Sequence, residues 1–154
     1  MKKIKIGING FGRIGRAITR INAQYDYFDL VLINDINPHV DNLVYLYKYD
    51  STYGKFDGEV HSTSNGIIIN GNRTTCTSYS DLNQIPWKDF NVDVLIDSSG
   101  VENNITKAKE LIQNKLFGRC IITHSNEDVD LEVIVGVNDQ KISGKHQVVS
   151  NSIC

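Results

Sequence analysis

Gly7-Ile8-Asn9-Gly10-Phe11-Gly12-Arg13-Ile14-Gly15-Arg16 is the stretch whose reading decides the fold. An apolar run, Ile4 to Ile8, precedes it and a helix-like segment, Ile14 to Tyr25, follows it. Gly10, Gly12 and Gly15 have the spacing of a dinucleotide-binding turn. There the glycines permit a tight turn, close approach of backbone to pyrophosphate, and close packing of helix on strand. The anion then sits on unpaired amides at the helix N-terminus. Glycine-rich turns of this kind also arise for packing alone, so the flanking sequence has to decide.

Outward from the turn, strand and helix signals alternate. Lys2 to Ile8 is apolar and β-branched, as a strand buried on both faces of a parallel sheet requires. The helix after it carries Ile14, Ala17, Ile18 and Ile21 at helical spacing, leaving Arg13, Arg16 and Arg20 for solvent or ligand. Leu30 to Ile33 is a second buried strand that closes a βαβ unit, and Asn34-Asp35 ends it. Asp35 lies about 20 residues beyond Gly15, where such units place the acid that accepts the adenosine ribose hydroxyls. A carboxylate there repels a 2′-phosphate, which favours NAD over NADP. A turn or helix-capping role is the alternative for an aspartate at a strand end.

Pro38 opens a second helix with Val40, Leu43, Val44 and Tyr47 on one face. About residues 58–78, the runs Glu59 to Thr63, Ile67 to Asn70 and Arg73 to Thr77 are separated by Asn-Gly turns. They predict small antiparallel hairpins inserted between the second and third parallel strands. Val92 to Asp97 is the next buried strand, followed by a helix from Asn104 to Lys115. Arg119 to Thr123, Leu131 to Val137 and Gln147 to Ser150 predict further strands. The fold class is therefore α/β, a Rossmann-type doubly wound parallel sheet with a small antiparallel hairpin insertion. Ligands in such sheets collect at the carboxyl ends of strands. Asn9, Asp35, Ser98, Ser99, Thr123, Asn138 and Cys154 are all predicted to lie there.

The chain has 154 residues, one domain's worth, and a net charge of −2. That balance gives no attraction to nucleic acid or to an anionic membrane, and no apolar run approaches the roughly 20 residues of a membrane span. A cytoplasmic protein is the expectation. Cys76, Cys120 and Cys154 are an odd set without metal-ligand spacing, and His39, His61, His124 and His146 show no pairing, so no metal site is expected.

The chain resembles phosphorylating glyceraldehyde-3-phosphate dehydrogenase. The resemblance rests on Gly7 to Arg16, Ile33-Asn34-Asp35, Tyr49 to Phe56, Ile69 to Asn72, Gly136-Val137-Asn138 and Ser150-Asn151-Ser152-Ile153-Cys154. It implies that 1–154 is the NAD-binding domain. Its cofactor residues would be Asn9, Gly10, Phe11, Gly12, Arg13, Ile14, Asp35, Ser80, Ser99, Gly100 and Thr123, and Cys154 would be the nucleophile. Ile36, apolar after the ribose acid, also resembles NAD-using members. The implied chemistry is attack of a thiolate on the aldehyde, hydride loss to NAD, and opening of the thioester by inorganic phosphate. Glyceraldehyde 3-phosphate would be the substrate and the intact enzyme a homotetramer. Erythrose-4-phosphate dehydrogenase shares these motifs, and a stand-alone, non-catalytic NAD-binding or interaction module is a further alternative.

Four departures from the family pattern stand out: Ile153 for the serine before the nucleophile, His124-Ser125 for alanine-proline, Ser80 for arginine, and Asp97-Ser98-Ser99-Gly100 for Glu-Ser-Thr-Gly. The family's catalytic domain follows the cysteine, so the isolated 154 residues are expected not to turn over. The family's final helix packs on this domain, and without it an apolar groove is expected through which the chain self-associates.

Overall fold

In a computed structural model, which describes residues 2–151, the glycine-rich stretch joins a strand to a helix. In chain order the elements begin with β1 (Lys5–Asn9), α1 (Arg13–Tyr25), β2 (Asp29–Asn34) and α2 (Val40–Lys48). A short ribbon, β3 (Tyr49–Asp50) and β4 (Gly54–Lys55), leads to β5 (Val60–Thr63), β6 (Gly66–Ile69) and β7 (Asn72–Thr77). After α3 (Trp87–Phe90) come β8 (Val94–Asp97), α4 (Asn104–Gln113), β9 (Arg119–Ile122), β10 (Leu131–Glu132) and β11 (Val148–Ser150).

Among the described residues, nine strands form one sheet in the order β10-β11-β9-β8-β1-β2-β7-β6-β5. β1 lies between β2 and β8 with parallel register, Asn9 opposite both Asn34 and Asp97. Its carboxyl end is therefore the point where the strand order reverses direction, which is where an open α/β sheet forms its ligand crevice. The doubly wound α/β expectation holds.

The hairpins are antiparallel, β5 on β6 and β6 on β7, as their Asn-Gly turns predicted. β7 has a second partner as well: it runs parallel to β2, with Leu32 opposite Thr75. The inserted strands thus extend the main sheet, and β7 is itself the parallel strand beyond β2.

Two sequence expectations are corrected. On α1 the buried positions are Gly15 and Thr19, while Ile14 and Ile21 are each 51% exposed. The start of α1 lies directly on the glycine turn, where a Cβ on Gly15 would stand 2.3 Å from the Gly10 carbonyl oxygen, while Ile18 packs partly buried against Ile6, Ile8 and Ile96. The predicted strand Leu131 to Val137 stops at Glu132. Asn138 ends it, because its side chain accepts from the Ile134 amide and donates to the Glu132 carbonyl, folding 132–138 into a turn with Gly136 at φ +82°. Asn138 consequently lies outside the row of strand ends.

The core has a face on each side of the sheet. Leu95, Cys120, Ile122 and Val148 pack with Ile105, Ala108 and Leu111 of α4. Phe11, Ile33, Leu43, Tyr47, Ile67 and Ile69 form a second cluster under α2. Across β9, β11 and β10, Ile121, Val149 and Leu131 stand in register on the face opposite α4 and are only half-buried.

Candidate functional site: the crevice at the β1 carboxyl end

The floor of the crevice is polar and buried. Asn34, Asn9, Asp97 and Asn104 are all buried, and their side chains form one hydrogen-bonded line. Asn34 Nδ2 donates to Asn9 Oδ1 at 2.8 Å, Asn9 Nδ2 to Asp97 Oδ1 at 3.3 Å, and Asn104 Nδ2 to Asp97 Oδ2 at 2.7 Å. Buried polar groups persist only when partnered, and here each partner sits at a strand end or at the start of α4. Sequence reading named Asn9 and missed the other three. The available signal was an amide or carboxylate closing each of β1, β2 and β8.

Above this floor, three turns meet. Gly10 has φ +88°, a conformation that favours glycine, and its amide donates to the Asn34 carbonyl at 2.8 Å. A Cβ on Gly10 would stand 2.6 Å from the Ser99 nitrogen, so the turn after β8 lies directly on the glycine turn. Ser98 Oγ donates to the Gly10 carbonyl at 2.6 Å and Thr123 N to the Asp97 carbonyl at 3.0 Å. Ser99 and Gly100 are exposed at the rim. On the other side, Asn34 Oδ1 accepts the Tyr79 amide, which sets the exposed Ser80 beside the end of β2.

Asp35 faces this construction from the end of β2. Its carboxylate accepts the Phe11 amide at 2.7 Å and the Asn37 amide at 2.9 Å. Each carboxylate oxygen keeps a lone pair for a further donor, as ribose hydroxyls would supply. Phe11 contributes from below: its ring is buried and stacks on Tyr47 with centroids 6.0 Å apart.

Gly12 caps α1 without a side-chain hydrogen bond, and Gly12, Arg13 and Ile14 are exposed. The amides of these three have no acceptor among the described residues, the first turn of α1 holds no acid, and nothing lies within 4 Å of where a Gly12 Cβ would be. An open cradle of free amides at the positive end of a helix dipole fits a pyrophosphate. Arg16 and Arg20, in contrast, are unavailable to a ligand. Arg16 pairs with Asp50 at 3.3 Å and donates to the Phe11 carbonyl, while Arg20 donates to the Tyr47 and Gly54 carbonyls and lies over the Tyr47 and Phe56 rings.

Cys154 lies outside the described residues. Of the other thiols, burial pushes Cys76 up to about 12, and burial followed by the nearby Asp97 charge raises Cys120 well above the usual thiol range, which disfavours the thiolate at both. His124 follows Thr123 at the β9 end with both ring nitrogens buried and without a partner. No group of three or more metal-ligating side chains occurs among the described residues.

A parallel sheet with a glycine turn, free helix amides and an acid at the end of β2 defines a dinucleotide-binding domain. The family model "Glyceraldehyde 3-phosphate dehydrogenase, NAD binding domain" matches residues 4–105, and the chain belongs to this family, whose cofactor is NAD. It is 36% identical over 151 residues to glyceraldehyde-3-phosphate dehydrogenase 1 of Kluyveromyces lactis, covering 98% of this chain and 45% of that protein. It is 38% identical to glyceraldehyde-3-phosphate dehydrogenase of Danio rerio over the same shares. A chloroplastic glyceraldehyde-3-phosphate dehydrogenase of Arabidopsis thaliana is 36% identical over 99% of this chain and 36% of its own length. The chain thus spans less than half the length of these relatives. No helix among its described residues is long and apolar enough to cross a membrane.

Proposed function

We propose that this chain binds NAD as part of a glycolytic, phosphorylating glyceraldehyde-3-phosphate dehydrogenase. Asp35 holds the adenosine ribose, the Gly12, Arg13 and Ile14 amides hold the pyrophosphate, and Ser99, Gly100 and Thr123 line the nicotinamide side. The observation that carries this reading is the Asp35 carboxylate closed onto the Phe11 amide, which fixes an acid at the ribose end of an open amide cradle.

Bound NAD supplies a hydride acceptor. Cys154 supplies the nucleophile: its thiolate adds to the aldehyde carbon of glyceraldehyde 3-phosphate, the adduct gives up hydride to leave a thioester, and inorganic phosphate displaces the thiolate. A cytoplasmic setting and a homotetramer belong to the same reading.

Calorimetric titration with NAD and NADP tests it. NAD binds, NADP binds at least about tenfold more weakly because its 2′-phosphate faces a carboxylate, and Asp35→Ala removes the preference. Equal affinity for the two cofactors in the unaltered chain overturns the ribose assignment.

Self-association of this chain is part of the proposal, through the face carrying Ile121, Val149 and Leu131. Sedimentation velocity across a hundredfold concentration range checks this; a constant monomer argues against it.

A further inference from the structure

We propose that Asp97 is a positioning residue for the pyrophosphate and nicotinamide side of the crevice, with Asn104 as its fixed counterpart. The inference rests on reading the crevice as a dinucleotide site.

Asp97 is fully buried at the end of β8, and every polar contact to its carboxylate is a donor. Oδ1 accepts from the Ser99 amide at 2.9 Å, the Ser99 hydroxyl at 2.6 Å and Asn9 Nδ2 at 3.3 Å; Oδ2 accepts from Asn104 Nδ2 at 2.7 Å. Four neutral donors and no acceptor are the environment of an ionised carboxylate. No ion pair among the described residues includes it. The nearby amino end of α4, capped without a side-chain hydrogen bond, supplies compensating partial positive charge.

An anion held this way makes bonds that are stronger than those between neutral groups, so the parts it touches move together. Those parts are the residues nearest the ligand. The Asp97 carboxylate fixes the Ser99 amide and hydroxyl and Asn9 beneath the glycine turn, while the Asp97 main-chain carbonyl separately accepts the Thr123 amide. Asn104 completes the arrangement by donating to Ser99 Oγ as well, at 3.1 Å. One side chain therefore sets the spacing between the turn after β8 and the glycine turn, although it is too deeply buried to touch the ligand.

The position of Asp97 makes its effect one-sided. Asp35, which receives the adenosine ribose, is held by the Phe11 and Asn37 amides and shares no hydrogen bond with Asp97. Weakening Asp97 should therefore harm ligands that reach past the first phosphate and spare those that do not. General destabilisation has no such direction.

The test compares ADP-ribose with AMP on the same chain, using amide NMR titration to read millimolar affinities. Asp97→Asn keeps the size of the side chain but turns one acceptor into a donor facing donors. It should weaken ADP-ribose about tenfold and change AMP less than twofold. Asn104→Ser, a milder change on the partner side, should give the same split at about threefold and decides the matter if Asp97→Asn does not fold. Equal losses for both ligands, or no loss for either, overturn the proposal. A failure of the unaltered chain to bind either ligand removes the dinucleotide reading itself, a result distinct from a lost split.

Discussion

The Asp35 carboxylate accepts the Phe11 amide at 2.7 Å across the mouth of the glycine turn. The acid proposed to receive a ribose therefore also latches the turn proposed to receive the pyrophosphate. Asp35→Ala should do more than delete a ligand contact: the Phe11 amide loses its acceptor and the turn loosens. Hydrogen exchange at Phe11 should accelerate in Asp35→Ala without cofactor, and stability should fall by about 1 kcal/mol. Unchanged exchange at Phe11 would show that the latch is incidental.

Gly12 and Gly15 separate approach of a ligand from packing of the helix. Gly15→Ala places a Cβ 2.3 Å from the Gly10 carbonyl oxygen, backbone that cannot swing aside. It should cost about 3 kcal/mol and lower Tm by roughly 6–12 °C. Gly12→Ala enters open space at φ −72° and should cost less than about 1 kcal/mol while weakening NAD. Thermal melts with and without NAD distinguish the two.

Tyr47 is buried with its hydroxyl unpartnered, and burial drives its ionisation far above the ordinary tyrosine range against the opposing pull of Arg20. Tyr47→Phe removes a polar group that has no hydrogen bond to lose, and keeps the stack with Phe11. Its urea midpoint should match or exceed that of the unaltered chain, by up to about 1 kcal/mol in stability. Arg20→Ala should shift the midpoint the other way, since the 47–56 segment loses the donor to its Tyr47, Lys48, Tyr53 and Gly54 carbonyls and the stacking cation.

Native thiol labelling at pH 8 should be slow at Cys76, partly buried with a protonated thiol, and spare the buried Cys120, and it should reach both after denaturation. Peptide mass mapping identifies the labelled positions. Fast native labelling of Cys120 would contradict the packing of β9 under α4.

Acid should destabilise the chain through three carboxylates. Asp50 is held below the usual range by the Tyr53 and Thr52 amides and by Arg16, and Asp81 by the Asn83 amide and Lys107. Burial pushes Asp130 upward, but the Val148 and Gln147 amides and Lys109 together outweigh it and leave it lowered. Groups whose folded pKa is depressed contribute stability above their unfolded pKa and lose it as pH falls through the folded value. Urea midpoints should stay flat from pH 7 to about pH 5 and decline below about pH 4. Asp50→Asn should shrink that decline.

Much of this fold was legible in the sequence because its central strands are buried on both faces, and burial writes itself as runs such as Ile4 to Ile8 and Val92 to Asp97. The glycine spacing and Asp35 marked the crevice for the same reason: few residue types satisfy a positive φ or an acid at that distance. The side chains beneath the crevice were illegible, since Asn34, Asp97 and Asn104 acquire meaning only when strands far apart in sequence come into register. Counting apolar residues on α1 misled because a helix packed this close buries glycine and threonine, leaving Ile14 and Ile21 outside. Leu131 to Val137 misled because Asn138 ends the strand through a side chain that no periodicity reveals.

β1 is the first strand of the chain and the middle of the sheet, and that arrangement dictates an order of assembly. Ile6 pairs with Val94, 88 residues later, so as the polypeptide leaves the ribosome β1 can pair with β2 long before its other neighbour exists. Closing so large a loop is entropically slow, and until it closes Gly10 lacks the Ser98-Ser99 turn that rests on it. The growing polypeptide therefore carries Gly10, Gly12 and Gly15 well before the Ser98-Ser99 turn that completes the proposed cofactor crevice has been made.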